Sequence, residues 1–357
     1  MSIVLVLLAL AVAAISLTAC GGGSAGGGES AGGNAESAET ATEESGAAES
    51  AGDAEVFTLK VPGLSEGPVR LNPLTIGHEK GFFQEYGIEL EDQGSVAINQ
   101  QISAILSGSI HTTAIMTAEG VPAIDNGAPI IAVAGGVVTT PDWPHMTFLV
   151  KKGSDIKTGR DFIGKKIATA AANGGCTGGF PLEFMRQAGV ENAIEQVELI
   201  TVPEEALIET LNQGNTDIIG THLAPSVVKK LYGDEFDIVF SDWDLAEDKL
   251  GDMQFYFTRE FTEENPDVTR RFVSALAKTF NWINENPDEA YETYKNAVPN
   301  INEDIFSVNQ YSKDALIDKA HVDIWLELLG NPGQVQLLKN KLTFDDVATN
   351  EFNPNAS

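Results

Sequence analysis

From Val56 onward the sequence alternates between two hydrophobic periodicities, and that alternation constrains the fold more than any other feature of the 357-residue chain. Val56-Phe-Thr-Leu-Lys-Val61 alternates apolar and polar residues as a strand does. Pro73 to Tyr86 carries helical spacing, Gly87 supplies a stop, and Ile88-Glu-Leu-Glu91 resumes a strand. Ile98, Ile102, Ile105 and Leu106 then recur on one helical face, with Gly108 beyond them. Ser109 to Met116 reads as a strand, Ala118 to Asn126 as a short helix, and Pro129 to Ala134 as an apolar strand. Alternation of this kind, with short glycine-marked turns, builds parallel or mixed sheets flanked by helices.

The same pattern restarts after Lys151-Lys-Gly-Ser-Asp155. Strands are predicted over 166–172, 197–202, 216–220 and 236–240, with helices over 180–187, from Pro203 to Gly214, and over 226–232. Gln254 to Thr258 reads as a strand returning to the first unit. The long helix that follows shows a core stripe of Val268, Phe272, Leu276, Phe280 and Ile283, bounded by Asn265-Pro266 and Asn286-Pro287. Two α/β units in one chain suggest a central cleft between lobes, with ligand contacts at the carboxyl ends of the strands. The expected division is lobe one over 56–152 and 245–357, and lobe two over 153–244.

Residues 1–20 read as an export signal. The apolar run from Ile3 to Leu17 is short for a membrane span and ends in Leu17-Thr18-Ala19-Cys20. This resembles the bacterial lipobox, which implies cleavage before Cys20 and lipidation of its thiol. No Lys or Arg precedes the run, so an upstream start is expected to supply them. Residues 21–55 hold eight acidic residues, no basic and no aromatic ones, a composition too polar to offset the entropy of ordering. They are expected to form a disordered tether with a reach of about 30 Å. Lipid and leash together place the body at a membrane, on the extracytoplasmic side (periplasm or outer face).

The chain carries 22 basic and 52 acidic side chains, a net charge of −30. Without the eight acids of 21–55, the body keeps 22 basic against 44 acidic side chains, a net −22. Such a field repels phosphate backbones, so no nucleic-acid partner is expected. The two cysteines, Cys20 and Cys176, suggest neither a disulfide framework nor a zinc knuckle. The five histidines show no HExxH-type spacing, so neither a metal nor a cofactor is expected; a metal site here would have to join histidines distant in sequence.

Several stretches resemble the type II periplasmic binding proteins of the nitrate/sulfonate/taurine/bicarbonate transporter group. Glu79-Lys-Gly-Phe-Phe-Gln-Glu-Tyr-Gly-Ile-Glu-Leu90 is similar to that group's helix-then-strand signature, and Ala104-Ile-Leu-Ser-Gly-Ser-Ile110 to its following turn, although His111 departs from it. Val150-Lys-Lys-Gly-Ser-Asp-Ile-Lys, with Arg160-Asp-Phe-Ile-Gly-Lys-Lys166, resembles the crossing into the second lobe. Leu211-Asn-Gln-Gly-Asn-Thr-Asp-Ile218 and Pro225 fit the next loop. The resemblance implies an α/β type II fold of two lobes on a hinge with a central cleft, which closes on one small solute and hands it to an ABC permease with its ATPase. The implied cargo is a nitrate-, sulfonate- or taurine-like anion; the alternative is a pyrimidine precursor of thiamine. A sensor role is a further possibility. The same superfamily includes pyrimidine synthases with a cysteine-rich iron site, which this chain lacks, so an enzyme is not expected and no catalytic residue is assigned.

Candidate contacts lie in loops after strands. Ser65, Arg70 and Asn72 follow the first strand, and the Arg70 fork suits a carboxylate or sulfonate. Ser95 precedes a helix, where it either caps or donates to ligand, capping being the better reading. Thr117 ends a strand. Trp143 near the crossing offers a stacking face. In the loop Asn173-Gly-Gly-Cys-Thr-Gly-Gly179, the backbone at Asn173 and Gly174 can cradle an anion or carbonyl, with Cys176 and Thr177 facing the cleft. Thr221 and His222 follow another strand.

Overall fold

A computed structural model describes residues 55–65, 67, 70–250 and 253–356. The signal segment, Cys20 and the tether over 21–54 lie outside the described residues. The strands, in chain order, are β1 (Phe57–Val61), β2 (Ile88–Asp92), β3 (Thr113–Met116), β4 (Ile130–Gly135), β5 (Val137–Val138), β6 (Thr147–Lys151), β7 (Lys166–Thr169), β8 (Glu198–Thr201), β9 (Ile218–Thr221), β10 (Phe236–Ser241), β11 (Met253–Thr258) and β12 (Gln310–Tyr311). One mixed sheet runs β10-β6-β9-β7-β8. The others are the parallel pair β1-β2, the antiparallel trio β3-β11-β4 and the short pair β12-β5. This is the α/β, two-lobed architecture that the alternating pattern implies.

The hydrophobic cluster of the smaller sheets gathers around the Pro266–Glu285 helix. Pro266 stands in its first turn, where a missing N–H costs nothing, and the stripe from Val268 to Ile283 is buried along its whole length. Phe272 stacks on Phe83 with centroids 5.8 Å apart. The helix Pro73–Glu79 crosses close by. A Cβ on Gly77 would fall 2.3 Å from the Phe83 ring and 2.7 Å from Thr279 Oγ1, so only glycine permits that approach.

Two readings differ from the sequence expectation. The helix predicted over 73–86 is two pieces, Pro73–Glu79 and Phe82–Glu85, broken at Gly81, whose φ of 74° leaves the helical region. The segment Met146–Val150 is buried throughout, and as β6 it pairs with β9 and β10 in the five-stranded sheet, ahead of the expected boundary at 153. A strand buried on both faces shows no alternation to betray which sheet it joins. The Lys319–Gly330 helix packs on both the Thr117–Asp125 and Gly179–Gln187 helices, and a single apolar cluster runs through all three.

Candidate functional site

Two cavities adjoin at Tyr311. The first, about 270 Å³, has apolar walls from Leu71, Leu74, Val96, Val137, Met253 and Phe255, with Arg70, Ser95 and Gln101 among its polar members. The second, about 840 Å³, lies on the other side of Tyr311 and includes Trp143, Trp243, Asp248, Asn284 and His321. Tyr311 is a fixed partition. Its backbone N–H donates to Asn284 Oδ1 (2.9 Å) and its carbonyl accepts from Asn284 Nδ2 (2.9 Å). Its hydroxyl donates to the Leu71 carbonyl (3.0 Å), and its ring stacks on Phe280 at 4.7 Å. Burial pushes the phenol far above its ordinary pKa, so it stays a neutral donor.

The predicted residues divide between these places. Arg70 is half-buried on the first cavity and forms an isolated parallel bridge with Ser307. Asn72 also lines that cavity, but its side chain is committed: Oδ1 accepts from Leu74 N (3.0 Å) as a helix cap, and Nδ2 donates to the Gly63 carbonyl (3.2 Å). Its role is to shape the loop. Ser95 is exposed at the cavity edge, and it is not the cap expected of it, since Ala97 holds that position in the following turn. Ser65 is exposed and stands apart from both linings. Thr117 is fully buried in the first turn of its helix. Trp143 is half-buried on the second cavity, its backbone N–H donating to Thr140 Oγ1 (3.1 Å).

In the 173–179 loop, Asn173 is exposed and Gly174 half-buried, and neither lines the two cavities. Thr177 does not face a cleft: its hydroxyl donates to the Ala171 carbonyl within its own loop. Thr221 is likewise engaged, donating from Oγ1 to Glu204 Oε1 (2.7 Å) and accepting from Leu223 N (3.2 Å). The loop is pressed against the Thr117–Asp125 helix. A Cβ on Gly175 would meet Ala118 Cβ at 2.7 Å and Leu329 Cδ2 at 2.8 Å.

Cys176 and His222 do come together, joined by His145 and Glu204, which the sequence reading did not single out as contacts. Strands β9, β7 and β8 are neighbours and parallel, so the residues just beyond them share one sheet edge. Cys176 follows β7, Glu204 follows β8 and His222 follows β9; His145 precedes the antiparallel β6, which brings it to the same edge. The His145 and His222 rings are 4.9 Å apart at 74°. Donor atoms of His145, Cys176 and His222 all lie within 4.8 Å of one another. Glu204 clasps His222 twice, accepting its backbone N–H at Oε1 (2.8 Å) and facing Nδ1 from Oε2 (3.1 Å).

The electrostatics follow from these contacts. Burial opposes the Cys176 thiolate, but the neighbouring imidazoles of His145 and His222 outweigh it and hold the thiol below its ordinary value. Burial lowers His222, while its contacts with Cys176 and Glu204 turn the net shift upward. Burial works against the Glu204 carboxylate too, and His222 and Thr221 overcome it, leaving the group more acidic than usual. All three shifts act in one sense, toward the charged form of each group.

The fold is that of the type II periplasmic binding proteins, an α/β architecture of two lobes. The chain belongs to the NMT1/THI5-like family, whose pattern matches residues 70–290. A formylaminopyrimidine-binding protein of Halalkalibacterium halodurans is 25% identical over 265 residues, covering 72% of this chain and 74% of that one. The periplasmic aliphatic sulphonate binding protein SsuA of Escherichia coli superposes with a TM-score of 0.61 at 15% identity, over 81% of this chain and 91% of its own. The periplasmic nitrate-binding protein NrtA of Synechocystis PCC 6803 gives 0.57 at 17%, over 84% and 87%. At these identities the two structures establish the fold alone.

Proposed function

We propose that the protein is an extracytoplasmic solute-binding component of an ABC importer, held to the membrane by a lipid on Cys20, and that its cargo is a small flat pyrimidine of the thiamine-precursor type. The observation that carries this reading is the relative named for formylaminopyrimidine binding, aligned along 72% of the chain. The first cavity supports it. At about 270 Å³ it lies near the lower end for small-molecule sites, and its walls are mostly apolar with few polar groups, as suits a small heterocycle. The body's net charge of −22 weakens the approach of anions and favours neutral or cationic solutes. Binding must favour the closed form through contacts that exist only when the lobes meet; the solute then leaves unchanged through a permease.

A second reading has one observation behind it: Arg70, a guanidinium, sits on the first cavity and fits a sulfonate or nitrate. A thermal-shift and calorimetric panel separates the two. Formylaminopyrimidine at a hundredfold excess over its Kd should stabilise the purified protein by about 2.7 kcal/mol, while taurine, an alkanesulfonate and nitrate leave it unmoved. Stabilisation by the anions that Arg70→Ala abolishes would replace the pyrimidine reading with the anion one. Recovery of a chemically altered compound after incubation would overturn binding without transformation.

A further inference from the structure

The residues gathered at the edge of the five-stranded sheet lie outside the linings of the two cavities. We propose that His145, Cys176 and His222 form a three-ligand site for a borderline transition cation such as Zn2+, with Glu204 orienting His222 and a fourth position left for water or solute. The inference stands independently of the cargo assigned above.

Four observations carry it. The ligand set is one thiolate and two imidazoles, the donors that Zn2+ and its neighbours prefer over carboxylate and water. The spacing fits: donors about 2.0–2.3 Å from a tetrahedral ion stand roughly 3.3–3.7 Å apart, and the donors here lie within 4.8 Å of one another, so small side-chain rotations close the set. The second shell is in place. Glu204 Oε2 faces His222 Nδ1 at 3.1 Å, which leaves Nε2 as the metal-facing atom and fixes the ring's orientation. Glu204 is itself held by the Thr221 hydroxyl at 2.7 Å, so the carboxylate is positioned before any ion arrives.

Access and identity also fit. Cys176 and His145 are buried, whereas the His222 side chain is 33% exposed and supplies the path from solvent. Three protein ligands with one open position are the pattern of a zinc site that exchanges a ligand, in contrast to a closed structural site with four. A hard cation such as Mg2+ or Ca2+ would find one carboxylate, already engaged, and no cage of oxygens. The sequence showed no such site because its ligands come from three separated loops, and only the sheet order of β6, β9 and β7 brings them to one place.

The test uses the full chain carrying Cys20→Ser, so that Cys176 is the sole thiol, stripped with EDTA and titrated with Co2+ or Zn2+ alone. One Co2+ should bind per chain, with a thiolate-to-metal charge-transfer band and the strong visible bands of tetrahedral cobalt, and Zn2+ should displace it. Cys176→Ser should remove the charge-transfer band and weaken binding at least a hundredfold. Glu204→Gln should keep the band and weaken affinity about 10–100-fold, the loss expected for an outer-shell partner. Because Glu204 is partly exposed, that variant reports even if Cys176→Ser fails to fold. No ion bound, a cobalt spectrum without the thiolate band, or unchanged affinity in Glu204→Gln would each overturn the proposal. Solute titrations repeated in EDTA keep this outcome separate from the cargo assignment.

Discussion

Gly175→Ala is the most direct probe of how the 173–179 loop seats on the Thr117–Asp125 helix. Gly175 has a backbone conformation open to an L residue, so the cost of substitution is steric. The added methyl would stand 2.7 Å from Ala118 Cβ, 3.4 Å from Ala118 Cα and 2.8 Å from Leu329 Cδ2. Ordinary carbon–carbon contact is about 3.5–4.0 Å, so the two nearest pairs are short by roughly 0.7 Å or more. The Leu329 methyl sits at the end of a side chain that can rotate away; Ala118 Cβ is fixed to a helix backbone and cannot. Overpacking of this kind costs about 1–3 kcal/mol. Ala118→Gly alone costs about 1 kcal/mol, from helix propensity. It also removes the atom that Gly175→Ala strikes. The double variant should therefore be more stable than the two single costs predict, by about 1 kcal/mol or more. Urea unfolding followed by far-ultraviolet circular dichroism, at constant m-value, measures all four corners of the cycle. Costs that add within about 0.5 kcal/mol would refute the contact, and with it the packing of this loop against the helix.

Further predictions rest on buried polar groups. Glu183 accepts from Arg186 Nε (2.7 Å), Arg186 Nη2 (2.6 Å), Gln187 Nε2 (3.0 Å) and Gln334 Nε2 (2.6 Å); burial opposes its charge, and these bonds win, leaving its carboxyl below the ordinary value. A depressed folded pKa contributes stability that is present above the unfolded value, about 4.3, and is lost as the pH falls through the folded one. Glu183→Gln should thus destabilise the protein at neutral pH by about 1–3 kcal/mol, with the gap to wild type narrowing on acidification below about pH 4.3. A constant gap in pH-dependent melting would remove Glu183 from this role. Tyr311→Phe keeps the stack on Phe280 but strips the Leu71 carbonyl of its donor, and denaturant titration should show a loss of about 1–3 kcal/mol. No loss would mean that water satisfies that carbonyl.

The legible and the hidden features of this protein differ for a physical reason that particular residues make plain. Periodicity reports which face of an element is apolar. It identified the Val268–Ile283 stripe, all of which is buried, and the strand-and-helix alternation from Phe57 to Phe240. It also marked the loops carrying Arg70, Cys176 and His222 as places after strands. It did not reveal that Asn72, Thr177 and Thr221 spend their polar atoms inside their own surroundings, because hydrogen-bond partners are chosen by the fold.

By itself the sequence determined the α/β class, the core stripe of the long helix and the acidic field around the body. Those properties belong to single elements or to the sum of charges. Only the tertiary structure decided that β6 joins the five-stranded sheet, that Gln310–Tyr311 pairs with Val137–Val138 between the two cavities, and that His145, Cys176, His222 and Glu204 meet. Each of these depends on which strand lies beside which. Neighbours in a sheet are selected by packing between segments far apart in the chain, and no local pattern of residues records that choice.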